Sequence, residues 1–414
     1  MRRLLPAVTG ALGTGLLAAA LLPVGAASAG PGSGDAVIER VSVDSDGTQG
    51  NRNSYGPVLS RNGRYVAFVS LATNLAPPYQ APPGGGVNWM YVRDLRDGSL
   101  ARVNYDGAAE TVYDFSASGN EMLFRSSRGG LYVRDLTSTD IERVDVELGD
   151  YAGGGAYDGR ISGDGRYVVF TQTRPGTSTA REGSRVYVRD LREGTTQWVS
   201  GPNTASEEYS AGRAAISDDG QRVAYVNTRY SSGRETGNAY LFDRRTGDRQ
   251  LLDVSQSGPT PERSLGTLSL SADGGRVLFN RSDASPVTAD DQGSNVFVRD
   301  LDTGTTRPIP ATATETGADY GKLSPDGRFA VYVTRVGGPD TPQQALVRRD
   351  LETGEVRAVA AALDGSPALG HAGRVSITDD NSMVAFDSTD TDLVPDDTNS
   401  ASDAFVSTLL PEAP

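Results

Sequence analysis

Short segments of alternating apolar and polar residues follow one another along nearly the whole chain, and one such segment recurs seven times. The first copy is SRNGRYVAFVS, beginning at Ser60. The other copies begin at Ser116, Ser162, Ser217, Ser271, Ser324 and Thr378. Each copy places a Gly, or Asn381 in the last copy, between a polar turn and an alternating apolar run. Because such a turn demands a positive φ that Gly and Asn tolerate, every copy predicts a β-hairpin.

Each repeat carries four strand signals. In the first repeat they are Tyr55–Ser60, Tyr65–Ser70, Trp89–Leu95 and Leu100–Tyr105. The third signal ends in an Asp that we expect to hydrogen-bond the following turn. These residues are Asp94, Asp135, Asp190, Asp243, Asp300 and Asp350. Helix signals are absent after the N-terminal region, and a period of about 50 residues made only of strands predicts an all-β, seven-bladed β-propeller.

The two ends of the repeat array complement each other. The seventh copy stops after its third strand, Asp403–Leu409, and has no fourth. The segment Val37–Val43, VIERVSV, precedes the first repeat and matches fourth-strand segments such as IERVDV from Ile141. We therefore predict a propeller over 37–410, closed by the N-terminal strand pairing with the C-terminal blade, and a short tail over 411–414.

The N-terminal region has the pattern of an export signal. Residues 1–29 combine Arg2 and Arg3, an apolar stretch and a small-residue ending at Ala27–Ala29, which predicts a signal peptide followed by a flexible mature start over 30–36. An uncleaved membrane anchor is the alternative for this stretch. After signal removal no membrane span is expected. We thus expect a secreted or extracytoplasmic protein of the cell envelope, either periplasmic or in the cell wall.

The composition limits which classes of partner are expected. The net charge is −14, and loss of Arg2 and Arg3 with the signal takes it to −16. Nucleic acid is therefore not an expected partner, because phosphate binding needs clustered cations. The chain has no Cys, so disulfides cannot stabilise it, and a single repeat array must supply the core. We expect a monomer.

The SxDGRxVxFxS and YVRDLxTG segments resemble the TolB-like, WD-repeat-like β-propeller repeats of bacterial envelope and secreted proteins. The resemblance covers essentially the whole chain after the signal. It implies the propeller fold. For function it implies only the range of binding, scaffolding and enzyme-associated roles that this repeat serves.

Alignment of the predicted inner strands on their closing Ser or Thr predicts which residues face the central channel. The residue immediately before the closing residue, at position −1, is apolar in every repeat. Positions −2 and −4 are polar and variable, and strand alternation puts them on one face. Position −2 holds Val58, Asp114, Arg160, Ala215, Ser269, Lys322 and Ser376. Position −4 holds Gly56, Val112, Asp158, Arg213, Thr267, Tyr320 and Arg374.

Four cations thus fall near one channel mouth beside two carboxylates. They are Arg160, Arg213, Lys322 and Arg374, with Asp114 and Asp158. This set predicts a pocket for an anion or a peptide carboxylate. A water-filled channel lined by mutually paired charges is the alternative. Tyr320, and His371 in the last blade-to-blade loop, complete the predicted ligand-binding set.

The remaining candidates concern metal and catalysis. The oxygen-rich loop near the C-terminus groups Asp396, Asp397, Asn399 and Asp403, which suggests Ca²⁺, with an Asx-turn-rich solvated loop as the alternative. No other cofactor is expected. His371 is the only His, which excludes a multi-histidine metal centre, and no GxSxG surrounds any Ser.

Long, dissimilar loops are predicted on one propeller face, including 71–88, 173–184, 282–294 and 389–402. Because binding usually occurs on such loops, the sequence favours a protein that binds a protein, peptide or glycan through this face and the channel mouth, without catalysis. The alternatives are a carboxylate-based glycosidase or lyase, and a cell-envelope scaffold.

Overall fold

The computed structural model describes most of the repeat array. The described residues are 36–76, 88–103, 109–127, 129–138, 140–176, 183–201, 209–231, 234–255, 258–259, 265–281, 296–309, 315–336, 343–368 and 371–410. The predicted signal peptide, most of the mature start and the C-terminal tail lie outside these residues. So do most of the predicted loop at 71–88, half of that at 173–184 and all of that at 282–294.

Seven four-stranded antiparallel sheets make up the fold, as predicted. The N-terminal strand is β1 (Ala36–Arg40), and blade 1 contains β2 (Ser54–Leu59), β3 (Tyr65–Ser70), β4 (Trp89–Asp94) and β5 (Leu100–Arg102). Blade 2 contains β6 (Ala109–Phe115), β7 (Glu121–Ser126), β8 (Leu131–Asp135) and β9 (Ile141–Arg143). Blade 3 contains β10 (Ala156–Ile161), β11 (Tyr167–Gln172), β12 (Arg185–Asp190) and β13 (Thr195–Trp198).

The remaining blades repeat this order. Blade 4 contains β14 (Tyr209–Ile216), β15 (Arg222–Ser231), β16 (Arg234–Asp243) and β17 (Arg249–Leu251), followed by a two-stranded ribbon of β18 (Val254–Ser255) and β19 (Gly258–Pro259). Blade 5 contains β20 (Leu265–Leu270), β21 (Arg276–Arg281), β22 (Val296–Asp300) and β23 (Thr306–Pro308). Blade 6 contains β24 (Glu315–Leu323), β25 (Phe329–Val336), β26 (Gln343–Asp350) and β27 (Val356–Ala358). Blade 7 contains β28 (His371–Ile377), β29 (Met383–Ser388) and β30 (Asp403–Leu409).

Blade 7 takes its fourth strand from the other end of the chain. β1 pairs antiparallel with β30, from Ala36 opposite Leu409 to Arg40 opposite Phe405. This confirms the predicted closure of the ring, although the strand ends at Arg40 rather than at Val43. Beyond it, Val41 donates its backbone N–H to Ala404 (2.9 Å), so the pairing continues for one more residue.

A hydrogen-bond network explains why the SxDGR segment recurs. In blade 3 the Ser162 hydroxyl donates to Asp164 (2.5 Å) and accepts the backbone N–H of Tyr167 (2.8 Å). The turn glycine, Gly165, has φ +73°. Arg166 then binds Asp190 at the end of the third strand (2.7 Å), and Asp190 accepts the N–H groups of the next turn. The predicted turn role of these strand-ending Asp residues is confirmed.

The core consists of seven apolar layers, each between two adjacent blades. Within a blade, aromatic rings of the second and third strands stack, as Phe170 and Tyr187 do with ring centroids 5.9 Å apart. Each layer needs a blade on both sides, so burial of apolar area favours the closed ring. The only helical element in the described ranges is the 3-10 turn Gly149–Tyr151, and no helix there is long and apolar enough to cross a membrane.

Blade 4 differs from the other blades in the length of its second and third strands. Its second and third strands, β15 and β16, each have ten residues and pair out to Ser231 opposite Arg234. Most second strands have six residues. The two strands therefore continue as a paired ribbon on the face that carries the variable loops.

Candidate functional site

A cavity of about 420 Å³ lies at the centre of the ring. All seven inner strands contribute to its lining, which places it on the propeller axis. Every residue at position −2 lines it: Val58, Asp114, Arg160, Ala215, Ser269, Lys322 and Ser376. Their predicted location in the channel is confirmed, whereas their binding of a ligand stays a prediction.

Three residues at position −2 join neighbouring blades. Asp114 accepts the backbone N–H of Ile161 in the next blade (3.3 Å) and that of Phe115 in its own blade (3.0 Å). Ser269 and Ser376 likewise accept backbone N–H groups, from Leu323 (3.2 Å) and Leu59 (2.7 Å) of the following blades. These acceptors therefore stabilise the inner ring of blades, and the cations at the same position do not share that role.

A β-bulge in each inner strand sets the direction of the lining side chains. The pairing of the first two strands shifts just before position −2 in six blades, as between Tyr157 and Arg160 in blade 3, and just before position −3 in blade 5. In blades 1, 3 and 4 position −4 lies in this bulge, and φ is positive at Gly56 (+58°), Asp158 (+56°) and Arg213 (+53°). The simple alternation that we assumed is thus interrupted, because one extra residue is accommodated on the inner strand.

Asp158 and Arg213 nevertheless line the cavity, as predicted, together with Tyr113 and Ala214 from position −3. Beside them, burial raises the pKa of Tyr157 to about 12. A hydrogen bond with Ser184 lowers this pKa, the Asp158 carboxylate raises it, and the Arg213 guanidinium lowers it. Asp158 and Arg213 therefore form one electrostatic group around a neutral Tyr hydroxyl in blades 3 and 4.

Lys322 lies deeper in the cavity, at position −2 of blade 6. Burial lowers the pKa of Lys322 to about 8; the Asp114 carboxylate raises it, and the Arg160 and Arg61 guanidinium groups lower it. Arg160 donates to the carbonyl of Gly159 (2.7 Å). Among the described residues, neither Lys322 nor Arg160 forms an ion pair.

One end of the cavity is bridged by a cluster that the sequence reasoning missed. Arg61 of blade 1 binds Asp218 of blade 4 and also Asp379 of blade 7 (2.6 Å). These three residues directly follow the closing residue of their inner strands, so they lie at the turn end of the channel. Blades 1 and 4 lie on opposite sides of the ring, so the Arg61–Asp218 pair crosses the channel.

The sequence contained a signal for this bridge. The residue after the closing Ser or Thr is small or Pro in four blades and charged in three. The seven residues are Arg61, Ala117, Gly163, Asp218, Ala272, Pro325 and Asp379. Gly163 is needed beside the bridge, since a Cβ there would lie 2.5 Å from the Asp218 side chain. The predicted channel lining ends at the closing residue, and the bridge lies just after it.

Three predicted ligand-binding residues are described only through their backbone. Tyr320 lies in β24, and Arg374 lies in β28. The prediction that His371 lies in a blade-to-blade loop is wrong, because His371 is the first residue of β28 and pairs with Asp387. The side chains of all three residues lie outside the described part of the structure, so their predicted roles stay predictions.

The predicted Ca²⁺ loop surrounds an arginine. Asp397 and Asp403 both face Arg40 of β1, at 3.0 Å from Nη2 and 3.3 Å from Nε, and Gln49 donates to both carboxylates (2.8 Å each). Asn399 joins the group by donating to Gly50, whereas Asp396 is exposed with φ +59°. In the described ranges no group of three or more His, Asp or Glu side chains is arranged to hold a metal ion. The loop thus secures the N-terminal strand to blade 7.

No protein-family model and no curated protein sequence matches the chain. Solved structures do match in fold. An oligogalacturonate lyase in complex with manganese aligns with 92% of this chain and 95% of its own, at 14% identity and a TM-score of 0.61. The β-propeller domain of the Trilobed protease from Pyrococcus furiosus aligns with 81% of this chain and 91% of its own, at 11% identity and a TM-score of 0.52.

At these identities the likeness concerns the fold alone, and it confirms that this chain is a β-propeller. TolB from Acinetobacter baumannii also matches, at 14% identity, over 80% of this chain and 78% of its own, with a TM-score of 0.41. The Trilobed protease domain is described as having an open velcro topology. In this chain, by contrast, β1 pairs with β30.

Proposed function

We propose that the protein is an exported binding protein that takes a carboxylate group of a peptide or glycan into the loop-side end of its central cavity. One observation carries the proposal: Arg160, Arg213 and Lys322 converge on one cavity of a chain whose net charge is −14. Arg is the side chain best suited to bind a carboxylate with two parallel hydrogen bonds.

The charge balance along the cavity supports this. Arg61 faces two carboxylates at the turn end, so the formal charge of the bridge is −1. Towards the loop side, the described lining carries three cations against the two carboxylates Asp114 and Asp158. An anionic group is therefore attracted to the loop-side part of the cavity and repelled from the bridge.

Size and direction also fit a small terminal group. A cavity of about 420 Å³ falls within the range of small-molecule sites. Because Arg61 and Asp218 cross the turn end, a ligand enters from the face with the variable loops. A peptide C-terminus or a sugar acid at a chain end satisfies both conditions, with the rest of the partner resting on the loops.

The carboxylate-based glycosidase or lyase gains no support from Asp114. Its carboxylate accepts two backbone N–H groups and so serves the joint between blades 2 and 3. An acid that must give up a proton to a leaving group is not expected in that arrangement. We therefore propose binding rather than catalysis.

The test is titration calorimetry with the purified full-length protein against oligouronates and peptides with a free or an amidated C-terminus. We expect heat only with the carboxylate-bearing ligands. The double variant Arg160→Ala with Arg213→Ala should weaken binding at least about 100-fold, from loss of two charge-assisted contacts. Arg96 and Arg307 are exposed on outer turns and strands, and replacing both with Ala gives the matched control. Unchanged affinity in the cavity variant would contradict the proposal.

A further inference from the structure

Lys322 is the only lysine among the 39 Lys and Arg residues of the chain. Every other fixed cation is Arg, including Arg61, Arg160 and Arg213, which line the same cavity. An Arg would serve at this position if only positive charge were needed. A lysine amine can lose its proton and become a nucleophile, whereas a guanidinium in a protein cannot.

The surroundings of Lys322 favour that chemistry. Its amine forms no hydrogen bond or ion pair with any described residue, and it lines the cavity together with Arg160 and Arg213. With a pKa of about 8, roughly a fifth of the amine is neutral at pH 7.4, against about a thousandth for a lysine in water. The described lining of the cavity therefore holds one lysine amine that can act as a nucleophile.

We infer that Lys322 forms a reversible imine with the carbonyl carbon of a 2-oxo acid, while Arg160 pairs with the ligand carboxylate. This inference rests on the proposed function and names the ligand group that the cavity takes. The 2-oxo acid places its carbonyl next to its carboxylate, which matches an amine and a guanidinium lining one small cavity.

The step balances without any further reactant. The Nζ lone pair forms a bond to the carbonyl carbon, and the carbonyl π electrons move to oxygen. A proton passes from nitrogen to that oxygen, giving a carbinolamine. A second proton is taken up from solvent, the hydroxyl leaves as water, and a protonated imine results. The Asp114 carboxylate favours the cationic form of the Lys322 amine. It favours the positively charged imine for the same reason. Addition of water reverses the sequence.

The probes are pyruvate and its hydroxy analogue lactate, which has the carboxylate but no carbonyl. Full-length protein is incubated with pyruvate and sodium cyanoborohydride, and the reduced adduct is located by peptide mass mapping. We expect one adduct at Lys322, with a labelling rate whose midpoint lies near pH 8 and which lactate suppresses by competition. The only other primary amine is the N-terminal α-amine, which the map separates.

Three variants and one condition sharpen the test. Lys322→Arg should give no adduct outside the N-terminus. Arg160→Ala should slow labelling about tenfold through loss of the carboxylate partner, whereas Arg307→Ala should leave it unchanged. Unfolding in urea should also slow labelling at pH 7, because the amine then regains its ordinary pKa.

The two proposals fail in different ways. If lactate and pyruvate bind by calorimetry but no adduct forms at Lys322, the imine is overturned and carboxylate binding stands. Labelling of Lys322 that is no faster in the folded protein than in urea also overturns the imine. If oligouronates, peptides, lactate and pyruvate all fail to bind, both proposals fall.

Discussion

Arg213 and Asp158 keep backbone angles that favour glycine. Both lie in the inner-strand bulge with φ above +50°, where blade 1 has Gly56. A left-handed conformation costs an L-residue about 1 kcal/mol or more. Charged residues at such positions indicate a stability cost accepted for the sake of the side chain, which is the pattern expected at a binding site.

Arg213→Gly should therefore make the protein more stable while weakening ligand binding. We expect the free energy of unfolding to rise by about 1 kcal/mol, since glycine adopts this φ without a steric penalty. Gly56→Ala is the reverse substitution and should lower it by about the same amount. Urea unfolding measures both. A loss of stability in Arg213→Gly would show that contacts of the guanidinium outweigh the backbone strain.

Lys322 makes stability depend on pH in a predictable direction. Its folded pKa of about 8 lies below the unfolded value of about 10.5. Below pH 8 the folded protein holds a charge in the cavity that the unfolded chain holds in water. That penalty disappears as the pH rises from 8 to 10.5, because the folded state releases its proton first.

Lys322→Met should remove this penalty. We expect the free energy of unfolding at pH 7 to rise by on the order of 3 kcal/mol, and the gain over the wild type to shrink as the pH approaches about 10.5. Lys322→Arg retains the charge and should show no such gain. Urea titrations at several pH values measure the difference. A gain that does not depend on pH would mean that the charge of Lys322 carries no cost.

The hairpin between the first two strands of each blade is the element that the sequence predicted most completely. Three residues of this hairpin have separate roles. The Ser162 hydroxyl both donates and accepts a hydrogen bond, Asp164 accepts a backbone N–H in the turn, and Gly165 supplies the positive φ. Each task is local, so residue identity alone reveals it, and seven copies make the pattern unmistakable.

Ser162→Ala tests this element. The hydroxyl is buried, and its loss leaves the backbone N–H of Tyr167 without its side-chain acceptor. We expect a decrease of about 1–2 kcal/mol in the free energy of unfolding, measured in urea. Ser99→Ala, in an exposed outer turn, is the control and should change it by less than about 0.5 kcal/mol. Equal effects of the two substitutions would show that the Ser162 hydroxyl has no special role.

The inner-strand bulge and the channel bridge were harder to predict because they depend on neighbours distant in sequence. The bulge is not marked by one residue type in the sequence. Position −4 is Gly56 in blade 1 but Asp158 and Arg213 in blades 3 and 4. The Arg61–Asp218 pair joins residues 157 apart, and nothing local to either predicts it. Position −2 was predicted correctly because polar variability there does not require knowledge of the bulge.

On the scale of the whole molecule, the closure depends on charged side chains as well as on strand pairing. Arg40, Asp397 and Asp403 are 9%, 3% and 0% exposed in their side chains. The contacts of Arg40 with Asp397 and Asp403 are ion pairs rather than well-aligned hydrogen bonds. Burial raises the pKa of Asp403, hydrogen bonds from Ser42 and Gln49 and the charge of Arg40 lower it, and Asp397 raises it.

Arg40→Met should weaken the closure strongly, because two buried carboxylates lose their cation. We expect the free energy of unfolding to fall by about 3 kcal/mol at pH 7. The loss should be smaller at pH 5, since the pKa of Asp403 rises further without Arg40 and a proton can replace the guanidinium. Proteolysis of the N-terminal segment should accelerate in parallel. Arg52→Ala, exposed in the same region, is the control; a comparable loss there would contradict the role of Arg40.

The shared blade also constrains the order of events when the polypeptide emerges from a ribosome or a translocation pore. Ser42 bonds to Asp403, 361 positions later, so the first strand has no partner until almost the entire chain is available. Six sheets can assemble one after another while β1 remains unpaired. Completion of the circle is thus a late, all-or-none step, and a nascent chain released early keeps two open edges.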